Sequence, residues 1–112
     1  MTRRNLIGTL AAAPLAAEGK TVEVSMQNRP KAAFDPATVN IRIGDTVEWT
    51  NPELITHTVT FEAPLPEGVK PFGSGDIEQD GTFKHTFTVK GEYKYACKHH
   101  KNLGMTGTVV VT

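Results

Sequence analysis

From Lys20 onward the apolar residues of this chain recur at every second position, and a period of two can only be satisfied by strands. Thr21-Val-Glu-Val-Ser-Met26, Thr38-Val-Asn-Ile-Arg-Ile43 and Thr46-Val-Glu-Trp-Thr50 alternate in this way. His57-Thr-Val-Thr-Phe61, Phe83-Lys-His-Thr-Phe-Thr-Val89, Glu92-Tyr-Lys-Tyr-Ala-Cys97 and Thr106-Gly-Thr-Val-Val-Val-Thr112 follow. Turn dipeptides at or near Gly44-Asp45, Asn51-Pro52 and Lys90-Gly91 separate them. Residues 63–80 hold Pro64, Pro66, Pro71 and three glycines, so a long surface loop is expected there. No stretch carries a sustained helical stripe. Seven short strands in about 95 residues imply an all-β fold, an antiparallel sandwich or barrel.

Residues 1–17, MTRRNLIGTLAAAPLAA, are of another kind: two arginines, then small and apolar residues without an acid. That order is an export signal's, and Thr2-Arg3-Arg4-Asn5-Leu6-Ile7 resembles a twin-arginine leader. Gly8 and Pro14 interrupt its apolar stretch, and the alternative is a plain N-terminal tail. The expected division is a short leader over 1–17 and one domain over 18–112, exported to the periplasm or the extracytoplasmic face of a membrane. Twelve bases balance twelve acids; without Arg3 and Arg4 ten face twelve, a net charge of −2. No basic surface for nucleic acid follows from such a balance, and no apolar run is long enough to span a membrane as a helix. One cysteine excludes both an internal disulfide framework and a zinc site of paired Cys-x-x-Cys knuckles.

That cysteine carries the chemistry. Cys97 ends an expected strand, His100 follows three residues later, Met105 five after that, and the next strand then begins. A thiolate, an imidazole and a thioether form a soft donor set suited to copper, whereas magnesium or calcium would call for oxygen. His57, at the start of another strand, can supply a second imidazole across the sandwich. Two histidines and a thiolate in a plane with a long axial methionine describe a blue-copper electron-transfer centre.

The segment Tyr93-Lys-Tyr-Ala-Cys-Lys-His-His-Lys-Asn-Leu-Gly-Met105 resembles the copper loop of the cupredoxins, in the plastocyanin, pseudoazurin and halocyanin group. Phe34–Asn51 is similar to their early strands, and Gly81–Phe87 and Gly91–Cys97 to the run into the cysteine. The resemblance implies a Greek-key sandwich of about seven to eight strands, one type 1 copper per chain, and His57, Cys97, His100 and Met105 as its ligands. It implies an electron carrier in which His100 reaches the surface through an apolar patch, with Leu103 and Ile55 in or near it. The family often has asparagine after the first histidine, tying the two ligand loops together; this chain has Thr58.

Other readings of the same residues set the terms of comparison. Cys97 could be a small core residue, His57 a strand-end histidine, and Met26 or Met105 a packing filler. His99, two residues from Cys97, competes with His100 and reads as a surface residue; His85, on the strand face of Phe83, Phe87 and Val89, reads as a core or near-core histidine. A copper-storage or delivery protein and a structural zinc site are the rivals to electron transfer. A copper oxidase is disfavoured because Ala96 and Lys98, not histidines, flank Cys97. Residues 62–80 carry five acids against Lys70, and residues 81–101 carry five lysines against Glu92. Lys98 and Lys101 thus flank the copper loop and would attract an acidic patch on a redox partner, a cytochrome or a copper or haem oxidoreductase. A monomer is expected.

Overall fold

The computed structural model describes residues 19–112; the leader read over residues 1–17 lies outside them. Nine strands are present among the described residues: β1 Thr21–Gln27, β2 Ala33–Asp35, β3 Thr38–Ile41, β4 Thr46–Thr50, β5 Thr60–Phe61, β6 Phe72–Gly73, β7 Thr82–Thr86, β8 Gly91–Ala96 and β9 Thr106–Val111. They form a four-stranded sheet in the order β2-β1-β4-β7 and a five-stranded sheet in the order β3-β9-β8-β5-β6. The chain crosses repeatedly from one sheet to the other, as the Greek-key reading requires.

Two pairings depart from the antiparallel expectation: β1 with β4, and β3 with β9, run parallel. Alternation reports which face of a strand is buried, not which way its neighbour runs. Direction is set when the chain leaves a sheet and re-enters it beside an earlier strand. The loop over 63–80 is also more structured than its prolines suggest. Phe72–Gly73 pairs with β5, and Ile77, 5 % exposed, pairs with His57 through an isolated bridge.

The two inner faces are filled as the period of two dictates. Val24 and Met26 of β1, Val47 and Trp49 of β4, Tyr93 and Tyr95 of β8, and Val109 and Val111 of β9 are all buried. Trp49 meets Tyr95 and Phe61 edge-on, with ring centroids 5.4 and 5.9 Å apart. Tyr95 needs room to fit: a Cβ at position 107 would run into its ring, so β9 carries Gly107 there. His85 is half-buried, stacked on Phe72 at 4.2 Å and edge-on to Phe87 at 4.7 Å. That is the near-core role expected of it, although Val89 of the same run is exposed. Burial holds the His85 imidazole below its ordinary pKa, hence neutral at pH 7.

Asp45, between β3 and β4, is the buried carboxylate of the scaffold. It accepts the backbone N–H of Arg42 at 2.9 Å and of Lys20 at 3.0 Å. The Arg42 bond is the main reason its carboxyl lies below the ordinary 3.8, against the opposing effect of burial. A depressed carboxylate stabilises the native state fully above its unfolded value and stops doing so as pH falls through the lower native value. The difference in melting temperature between wild type and Asp45→Ala should therefore be full at neutral pH and shrink as pH drops below 3.8. Thermal unfolding followed by circular dichroism across that range checks it; a constant difference would refute the assignment.

Candidate metal centre

Three donors from two distant segments of the chain converge at one end of the sandwich. Cys97 is the first residue after β8, delivered by the pairing of that strand with β9 and β5. Its Sγ lies 3.4 Å from His100 Nδ1 and 3.7 Å from His57 Nδ1. Together the donor atoms of His57, Cys97 and His100 lie within 4.8 Å of one another. Both imidazoles turn the same nitrogen toward the sulfur, and the rings sit 4.9 Å apart.

The loop after Cys97 is shaped by its own backbone. His100 N–H donates to Cys97 O at 3.2 Å, and a single 3-10 turn, Lys101–Leu103, follows. Gly104 ends that turn with φ of 82°, a left-handed conformation that favours glycine, and reverses the chain. Cys97 N–H then meets Met105 O at 3.0 Å, which closes the loop. Met105 is fully buried, as are His57 and Cys97, while His100 is half-buried.

His57 arrives differently from expectation. The strand read over His57–Phe61 is reduced to Thr60–Phe61, because the preceding amides have other partners. Thr58 N–H points at Cys97 Sγ at 3.4 Å, and Val59 N–H donates to Ser74 Oγ at 2.9 Å. Burial lowers the His57 pKa, the nearby charge of His100 lowers it further, and Glu53 opposes both. A neutral imidazole results, which is the form that binds metal.

Thr58 does what its position calls for, by other means. Its Oγ1 accepts the N–H of Lys98 at 2.8 Å and shares a hydrogen bond with Thr60 Oγ1 at 2.9 Å. One residue therefore joins the His57 segment to the Cys97 loop twice, once through sulfur and once through the Lys98 amide. His99 lies outside the cluster: it is exposed, and its Nε2 pairs with Asp76 Oδ1 at 2.8 Å. Ile55 and Leu103 are exposed, as expected, and so is Leu54, which the sequence reading passed over. It also passed over Asn51, fully buried beside the His57 segment, since the Asn51-Pro52 dipeptide reads as nothing more than a turn.

A soft sulfur and two imidazole nitrogens turned toward it, with His57 and Cys97 buried and His100 half-buried, fit copper by donor type and by geometry. Comparison with known proteins bears directly on that fit. A family model described as copper binding proteins, plastocyanin/azurin family, matches residues 20–112. The chain belongs to this family of copper-binding proteins. It is 37 % identical over 83 residues to a chloroplastic plastocyanin of Tetradesmus obliquus, an alignment covering 70 % of this chain and 57 % of that protein. A halocyanin of Natronomonas pharaonis is 39 % identical over 82 residues, covering 70 % of this chain and 48 % of the relative. The chain thus spans about half the length of these two relatives. Among solved structures, a pseudoazurin from Sinorhizobium superposes with a TM-score of 0.73 at 28 % identity, covering 83 % of this chain and 74 % of that one. A Cu(I) amicyanin variant superposes with a TM-score of 0.71 at 27 % identity and 82 % coverage of both chains. The cupredoxin sandwich anticipated from the sequence is the fold of the chain.

Removing the Thr58 hydroxyl should expose how much the tie contributes. Thr58→Val keeps the volume but removes the partner of the part-buried Lys98 N–H, a loss of about 0.5–1.5 kcal/mol. Chemical denaturation of the metal-free protein measures it, and a loss below about 0.5 kcal/mol would mean water takes over the bond.

Proposed function

We propose that this chain is a mononuclear blue-copper electron carrier in which His57, Cys97, His100 and Met105 would hold the copper. The observation that supports the reading most is the convergence of Cys97 Sγ with His57 Nδ1 and His100 Nδ1, with His57 and Cys97 buried and His100 half-buried. Family membership supports copper as the ion. Bound copper would supply the one-electron couple; the chain's own residues set the conditions under which it works.

Those conditions follow from the scaffold. The thiol of Cys97 is wholly buried, so competing thiol chemistry with solvent oxidants is suppressed. Thr58 N–H, aimed at the sulfur at 3.4 Å, would draw charge from a thiolate that holds the metal. The two ligand segments are tied to paired strands and to each other, and a site that resists rearrangement suits donors that must serve both Cu(I) and Cu(II). His100, half-buried where its partners are buried, is the side chain through which an electron would pass, with exposed Leu103, three residues after it, and Ile55, two residues before His57, as the contact surface.

The reading is of a carrier and not an enzyme, and of a monomer exported behind the leader of residues 1–17. Lys98 and Lys101 are exposed beside the loop, which supports an acidic patch on the redox partner. A storage or delivery role for the same ligands would show itself as rapid loss of copper to chelators.

Adding Cu(II) to the purified protein should produce an intense blue colour at one copper per chain, and Cys97→Ser should abolish it. Colour retained by Cys97→Ser, or no colour in wild type, overturns the assignment. The charge reading has its own check. Reversing Lys98 and Lys101 together to glutamate should slow electron exchange with an acidic partner at low salt, and the difference should fade as salt is added. Rates that ignore ionic strength remove steering from the account.

A further inference from the structure

His57 carries an unusual burden. Its Nδ1 faces Cys97, while its Nε2 is buried and has no hydrogen-bond partner. A metal-binding histidine is commonly oriented by a hydrogen bond from the ring nitrogen that does not bind, and this ring lacks one. Its placement must come from its backbone and from the side chains around it.

The backbone of His57 is held by one residue, Ile77. His57 N–H donates to Ile77 O at 3.1 Å, and Ile77 N–H donates to His57 O at 2.7 Å. Ile77 belongs to no strand; the bridge stands alone between two irregular segments. What immobilises it is Asn51. The Asn51 side chain is fully buried, and its Nδ2 donates to Ile77 O at 2.9 Å and to Ile55 O at 2.8 Å, while its Oδ1 accepts the Glu53 N–H at 3.0 Å. Its main chain adds two more bonds, from Asn51 N–H to Gly81 O at 3.1 Å and from Asp80 N–H to Asn51 O at 2.6 Å. The amide of Asn51 and the amide of His57 therefore converge on the same carbonyl. No apolar or shorter polar side chain could satisfy all three side-chain contacts at once.

We propose that Asn51 is the positioning residue for His57: by clamping Ile77 and the segment Glu53–Ile55, it fixes the backbone that aims the imidazole, in place of the missing bond at Nε2. The same clamp fixes Ile55 at the exposed rim, so ligand and contact surface share one anchor. This inference rests on the proposal that His57 is a copper ligand, and the test separates the two.

Wild type, Asn51→Ala and Asn51→Asp are compared with Val24→Ala, a core truncation in β1 outside the site. Asn51→Asp keeps the volume of the side chain but loses the amide donors, and serves if the alanine variant folds poorly. In the metal-free proteins, hydrogen exchange at the His57 and Ile77 amides is expected to lose protection in the Asn51 variants beyond any change in Val24→Ala. In titrations with Cu(I) against a chelator, the Asn51 variants should bind about 10–100-fold more weakly than wild type, and their Cu(II) absorption should shift. Val24→Ala should match wild type in both. Equal protection, or affinity and spectrum unchanged in the Asn51 variants, overturns the positioning role. If wild type binds no copper, the proposed function fails, and exchange at His57 and Ile77 decides by itself whether Asn51 holds the segment.

Discussion

The residues that converge here lie forty positions apart in the chain, and Thr58 is where the two segments are joined. Its amide meets the sulfur of Cys97 and its hydroxyl receives the amide of Lys98. The first bond is buried and the second part-buried, and there a polar group without a partner is costly and a satisfied one holds its neighbours in place. Without this junction β8 would still present Cys97 and the loop would still close on Met105. The distance from His57 to the sulfur would then rest on the Ile77 bridge and on side-chain packing.

Around that junction, the division of labour is clear. The aromatic and aliphatic residues between the sheets supply the non-directional part of the stability, roughly proportional to the apolar area they bury. They hold the strands but do not aim anything. Direction comes from a small number of buried polar groups at the strand ends: Asn51, Thr58, Asp45 and the backbone of Ile77. Each has at least one main-chain partner on another segment, which is why irregular loops can carry donor atoms to within a few ångströms of one another.

Much of this was legible in the residues themselves. Alternation located the long strands, because burial of one face is a property of single side chains and repeats with the pleat. The spacing of Cys97, His100 and Met105 marked the loop, since a short closed segment allows few other uses for those side chains. Short elements were less visible. Ala33–Asp35 and Phe72–Gly73 are too brief to alternate, and Ile77 is buried by contacts made with residues twenty positions earlier. The shortening of the His57 strand was likewise hidden, for it depends on an amide that prefers a sulfur to a neighbouring strand.

Local sequence determined what could be decided locally: which faces are apolar, where the chain must turn, and which side chains are chemically able to hold a soft metal. Only the tertiary structure decided how those pieces face one another. It made two strand pairs parallel, set His100 beside Cys97 and His99 against Asp76, and gave a buried asparagine in a turn the task of holding Ile77. The physical reason is common to all three. Strand direction, hydrogen-bond partnership and loop closure are relations between distant segments, and they acquire a definite value only when the chain has folded.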